Sequence, residues 1–173
     1  MALTVTAIAG NPKPGSRTLE AARIVASRFV DDPAEVAEID VITLGAGLLG
    51  WGDEGVKAAV ERARASDLIV VASPTFKATY TGVLKLFLDQ FETGTGLAGV
   101  TAIPLMLGAG PAHALAPDVF LKPVLVELGA VVPVQGLYLS DRTYAEPESL
   151  DPWIDRWGGA LRASAERGAA LRD

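Results

Sequence analysis

Three segments gather the residue types that could hold and orient a small ligand. In Gly10-Asn11-Pro12-Lys13-Pro14-Gly15-Ser16-Arg17-Thr18, hydroxyls and a cation meet at what reads as a helix start. Free backbone N–H groups and the helix dipole favour an anion there, so the segment suits one phosphate group. It lacks the Gly-Lys-Ser/Thr of a Walker A loop and the Gly-x-Gly-x-x-Gly of a dinucleotide fold. Ser16 reads equally well as a plain helix N-cap. In Ser73-Pro74-Thr75-Phe76-Lys77-Ala78-Thr79-Tyr80-Thr81-Gly82, the chain turns at Pro74, and Phe76 and Tyr80 flank Lys77. A proline turn with exposed amides offers a flat wall and N–H donors, as a planar ring bearing carbonyls and nitrogens requires. The competing reading is an ordinary strand–turn–helix with Tyr80 in the core. In Leu107-Gly108-Ala109-Gly110-Pro111-Ala112-His113, small residues let the backbone lie against the edge of such a ring. His113 is the only histidine. A lone histidine more often caps or hydrogen-bonds than catalyses, so it ranks behind Lys77 as a candidate for tuning a reaction.

Composition narrows the chemistry. The chain has no cysteine, which excludes thiolate catalysis, disulfides and iron–sulfur clusters. A single histidine excludes a histidine-rich metal site. Redox chemistry, if present, therefore comes from a bound organic cofactor. The net charge of −6 argues against a nucleic-acid partner, which needs a basic face. A length of 173 residues, half of them hydrophobic, predicts one domain over 1–173. The first ten residues alternate like a strand and lack a positive leader, so no signal peptide is read. Residues 97–117 carry no formal charge, yet their glycines and prolines fit a strand and turn better than a bilayer helix. The expected location is the cytoplasm, with no membrane contact.

The elements that must position these segments alternate. Strands are predicted over 3–9, 36–44, 67–72, 99–107 and 131–139. Helices are predicted over 16–30, 53–65, 80–92 and 114–128, and a last one opens with Asp151 as N-cap and Pro152 in its first turn. Tyr80, Val83, Leu84, Phe87, Leu88 and Phe91 form one apolar stripe at helical spacing. Pro123 predicts a kink or late start in the fourth helix. Between the second strand and second helix, 45–55 is glycine-rich. It reads as either a flap carrying Trp51 to a ligand or neighbouring subunit, or a simple exposed loop. Alternation of strand and helix predicts a doubly wound parallel sheet covered on both faces. Ligands of such sheets bind beyond the C-terminal strand ends at the switch point, which is where the three segments fall.

Three stretches, 10–18, Ser73-Pro74-Thr75-Phe76-Lys77-Ala78-Thr79-Tyr80-Thr81-Gly82-Val83-Leu84-Lys85, and Gly108 through Lys122-Pro123-Val124-Leu125, resemble the NAD(P)H-dependent FMN reductase family of flavodoxin-like fold. The resemblance is nearest to the flavin reductases of two-component alkanesulfonate monooxygenase systems. It implies a five-stranded sheet of order 2-1-3-4-5 and FMN phosphate at Ser16, Arg17 and Thr18. It implies the flavin ring on Pro74, Thr75, Phe76 and Lys77, with Gly108, Ala109, Gly110 and His113 on the other side. Phe76 stands where the family often has tyrosine, so the ring can still pack but brings no phenolic hydroxyl. Tyr80 matches a tyrosine that in some members opens a π-helical bulge at a subunit interface. That implies an influence of Tyr80 on oligomer state and flavin release. The implied activity is hydride transfer from NAD(P)H to FMN by a homodimer or homotetramer, supplying reduced FMN to a monooxygenase. A quinone, azo or chromate reductase with tightly bound FMN and a non-enzymatic flavodoxin-type electron carrier are the alternatives.

Overall fold

In the computed structural model, which describes residues 2–172, five parallel strands make one sheet. They are β1 (Val5–Ala9), β2 (Ala37–Asp40), β3 (Leu68–Pro74), β4 (Thr101–Gly108) and β5 (Leu137–Ser140), in the order β2-β1-β3-β4-β5. The helices are α1 (Arg17–Ala26), α2 (Glu54–Arg64), α3 (Gly82–Leu88), α4 (Lys122–Glu127) and α5 (Pro147–Arg172). Every residue of β1 and β3 is buried, as central strands covered on both faces must be. Side chains alternate across the sheet. Ile8, Ile69, Val71 and Met106 face α2, α3 and α4, packing with Phe87, Leu88, Leu121 and Leu125. Ala7, Val70, Ala72 and Leu105 face α1 and α5, packing with Val25 and Leu161. The two cores grip the sheet and fix where β1, β3 and β4 end. Among the described residues no helix is long and apolar enough to cross a membrane.

Several boundaries depart from the sequence expectation, each for a local reason. The second strand was expected over 36–44, yet β2 stops at Asp40. There the Thr43 hydroxyl donates to the Asp40 carbonyl at 2.7 Å, and 3₁₀ turns follow over Val41–Leu49. Leu48 is buried and Gln90 donates to the Gly50 carbonyl at 3.1 Å, so the glycine-rich stretch is anchored at these two points while most of its residues are exposed. Trp51 stays exposed. The fifth strand, expected over 131–139, is reduced to Leu137–Ser140, with only an isolated bridge at Val131. Pro133 cannot donate to a ladder. The last helix begins at Pro147, not after Asp151. Pro147 takes the first-turn place that prolines favour. Asp151 pairs with Arg28 at 2.5 Å instead of capping.

The fourth helix starts late, as Pro123 predicted. A 3₁₀ turn over Pro111–His113 leads to a π turn over Pro117–Leu121 and then α4. Lys122 donates its N–H to the Pro117 carbonyl, a five-residue step. Pro123 has no N–H for the carbonyl four residues back and would crowd it. The wider turn just before Pro123 absorbs that mismatch. The expected π bulge at Tyr80 is absent. Tyr80 lies before α3, whose helix is ordinary and shorter than the 80–92 expected.

Candidate functional site

The ends of β1, β3 and β4 open onto one cleft of about 410 Å³. That volume lies in the range of small-molecule sites, roughly 300–1,000 Å³. Of the residues singled out from sequence, Ser16, Arg17, Thr18, Pro74, Thr75 and Phe76 line it, and Gly108 and Ala109 join them. Lys77 and Gly110 are not among its lining residues. His113 borders a separate apolar depression with Ala78, Leu115, Val119 and Phe120.

At one end of the cleft stands the N-terminus of α1. Ser16 caps it, its hydroxyl accepting from the Leu19 N–H at 3.3 Å. Capping does not use up the site, because the first-turn N–H groups of Arg17 and Thr18 have no intrahelical acceptor. The approach loop is braced. Asn11 Nδ2 donates to Thr18 Oγ1 at 2.9 Å, and its Oδ1 accepts from the Lys13 N–H. Gly15, at φ +57°, turns its N–H onto Asp40 Oδ2 at 2.8 Å. The shortened β2 therefore ends where its carboxylate ties down the loop.

Arg17 reaches across the sheet end. Its Nη1 donates to the Asp141 carbonyl at 2.9 Å, and Nη2 lies 3.9 Å from Asp141 Oδ2. Glu20 and Asp141 also line the cleft. Tyr144 donates its hydroxyl to Glu20 Oε2 at 2.7 Å. Burial, and then the Glu20 carboxylate, push the Tyr144 phenol up to about 12, so it remains a donor at neutral pH.

The other end is built on the turn after β3. Thr75 donates its N–H to the Leu107 carbonyl at 2.7 Å. Its buried hydroxyl has no hydrogen-bond partner among the described residues. Phe76 and Thr79 exchange backbone hydrogen bonds of 2.9 and 3.2 Å around Lys77 and Ala78. Those two residues have φ of +54° and +69°, a type I′ turn made without glycine. Each left-handed residue costs about 1–2 kcal/mol. Such strain persists only where surroundings impose it. Here Ser73 Oγ accepts from the Thr81 N–H at 3.0 Å, and Thr81 Oγ1 donates to the Gly10 carbonyl at 2.5 Å. A Cβ on Gly10 would lie 2.2 Å from Leu84 Cβ, so only glycine permits this approach of the first and second loops. Tyr138 fixes the third loop by donating to the Gly110 carbonyl at 2.7 Å.

Sequence reasoning missed Asn11, Glu20, Asp40, Asp141, Tyr138 and Tyr144. Only Asn11 carried a local signal, an Asx-type bond two residues on. As a whole, the cleft can receive a phosphomonoester at the α1 N-terminus and a planar ring along Pro74–Phe76, with the Thr75 hydroxyl free to meet a polar ring atom. The residues present fit a flavin mononucleotide on these grounds.

Comparison with known proteins bears on the same region. The sequence profile of the family described as NADPH-dependent FMN reductase matches residues 3–145. An FMN reductase (NADPH) of Pseudomonas putida is 37% identical over 87 residues, 50% of this chain and 44% of that protein. An NADH-dependent FMN reductase SfnF of Pseudomonas putida is 32% identical over 94 residues, 54% of this chain and 48% of that protein. The matches thus span about half the length of these curated relatives. Among solved structures, NADH:FMN oxidoreductase (EMOB) in its apo form superposes with a TM-score of 0.76 at 31% identity, covering 96% of this chain and 88% of that one.

Proposed function

The chain belongs to the NADPH-dependent FMN reductase family, and from that premise we propose that it binds FMN in the cleft and oxidises NAD(P)H with it. One observation carries the reading: a single cleft joins a helix N-terminus to a proline-and-aromatic wall holding a buried, partnerless hydroxyl. Bound there, FMN supplies the electron acceptor for a nicotinamide donor. Ser16, Arg17 and Thr18 hold the phosphate through backbone N–H groups and the guanidinium. Pro74, Thr75 and Phe76 carry the ring, and Gly108 and Ala109 close its far edge, with Gly110 behind them on Tyr138. Lys77, in the turn directly after the cleft residue Phe76, tunes the ring through its backbone N–H or its charge, and His113, which borders the neighbouring depression, ranks second. No protein acid or base is needed. The chain holds the two rings at reacting distance, which replaces a random encounter with an oriented one.

The same reading places the chain in the cytoplasm, as a homodimer or homotetramer, upstream of a flavin-dependent monooxygenase that consumes reduced FMN. The test is steady-state oxidation of NADH and NADPH by flavin-free protein given FMN, FAD, riboflavin or no flavin. Oxidation is expected to need added flavin and to run fastest with FMN. No stimulation by any flavin would overturn the reading.

A further inference from the structure

The phosphate end of the cleft contains its own competitor. Arg17 is the cation nearest the α1 N-terminus in sequence, yet Asp141 already engages it, through a carbonyl at 2.9 Å and a carboxylate oxygen at 3.9 Å. The other carboxylate oxygen of Asp141 is buried and has no partner. Glu20 lines the same cleft, so Asp141 is not the only negative charge facing an incoming phosphate. Glu20 differs in one respect: the Tyr144 hydroxyl donates to it at 2.7 Å. Asp141 has no such neutral donor on its side chain, only the long contact with Arg17.

We propose that Asp141 is an affinity-setting residue: it occupies Arg17 and places a carboxylate beside the phosphate position, so that FMN is held loosely and exchanges. The idea rests on the FMN reading above and says which way that site is biased. A phosphate dianion must either draw Arg17 away and leave the Asp141 carboxylate uncompensated, or bind without the full charge of an Arg17 that stays on Asp141. Both routes subtract from affinity for the phosphate, and neither touches the ring. Arg17 is 63% exposed and Asp141 33%, so the penalty is that of a part-solvated charge. A favourable phosphate site at a helix N-terminus is thereby kept weak enough for flavin to leave as a product.

The test is the dissociation constant of FMN and of riboflavin, measured by quenching of flavin fluorescence, for the wild type and for Asp141→Asn. Asparagine keeps the shape and removes the charge. FMN binding is expected to tighten about five- to tenfold, the scale of one part-exposed charge, with riboflavin unchanged. Raising ionic strength should shrink the difference between the two proteins. Asp141→Ser, checked for a native circular dichroism spectrum, serves as a second variant and should move FMN in the same direction. Unchanged or weaker FMN binding overturns the proposal, since Asp141 would then be orienting Arg17 for the phosphate. A parallel change for riboflavin overturns it too. Asp141→Asn protein that still binds riboflavin as tightly as FMN overturns the phosphate placement itself, which separates failure of that reading from failure of this one.

Discussion

Thr75 carries a buried hydroxyl that nothing among the described residues satisfies. An unmet buried polar group destabilises a fold by about 1–3 kcal/mol, and replacing it with an apolar group of the same shape removes that penalty. Thr75→Val should therefore stabilise the ligand-free protein by about 1 kcal/mol and weaken FMN binding about fivefold. Urea unfolding and flavin titration read the two effects. Loss of stability with unchanged binding would remove Thr75 from the site. That Thr75, Ser16 and Arg17 line one cleft was readable from sequence because Thr75 directly follows a strand and Ser16 and Arg17 open a helix, at the strand ends where such sheets hold ligands. The turn at Lys77 and Ala78 was not, since neither residue is the glycine or asparagine that such turns favour. Its shape is imposed by Ser73, Thr81 and Gly10. Asp141 was unreadable for a related reason. Its role depends on meeting Arg17, a residue 124 positions away.

At the level of elements, the apolar stripe of α3 was plain in the sequence, but its start was not. Thr81 caps the helix, accepting from the Leu84 N–H at 3.1 Å, and the same oxygen donates to the Gly10 carbonyl. One buried hydroxyl thus begins α3 and joins two site loops. Thr81→Ala should cost about 2–3 kcal/mol, the sum of a lost cap and an unpaired carbonyl. Thr81→Ser should retain most of the stability, because serine supplies the same oxygen. Equal losses in the two variants, measured by urea unfolding, would assign the effect to the methyl group instead. The misplaced boundaries share a cause. Asp151 with Pro152 looks like a helix start, yet Pro147 offers the same signal earlier, and Asp151, inside the helix, pairs with Arg28. Strand length failed at β2 and β5, the edges of the sheet, where pairing on one side alone lets glycine, proline or a tertiary anchor end the ladder early.

At the scale of the whole molecule, the parallel sheet followed from alternation and its strand order from the resemblance, whereas assembly depends on surfaces that neither describes. The π turn exposes Val119 and Phe120, with Leu115 exposed just before it. These side chains border the depression that also holds Ala78 and His113, so the apolar surface abuts the strained turn of the ring-binding loop. Tyr80 is only partly buried, packed against the core on the α3 side. If the chain self-associates through this face, assembly and flavin release are mechanically adjacent. Phe120→Glu places a charge on the exposed π turn without disturbing the core. If the proposed homodimer or homotetramer forms through this face, the variant should sediment as one copy of 18.0 kDa where the wild type does not. Tyr80→Ala tests the proposed role of Tyr80 in assembly and flavin release. It should also change assembly, and it should speed FMN release. Sedimentation gives the mass, and stopped-flow fluorescence gives the release rate. A Tyr80→Ala protein with wild-type mass and wild-type release would confine the interface to the π turn and leave Tyr80 as a packing residue. A Phe120→Glu protein still assembled would move the interface off this face altogether.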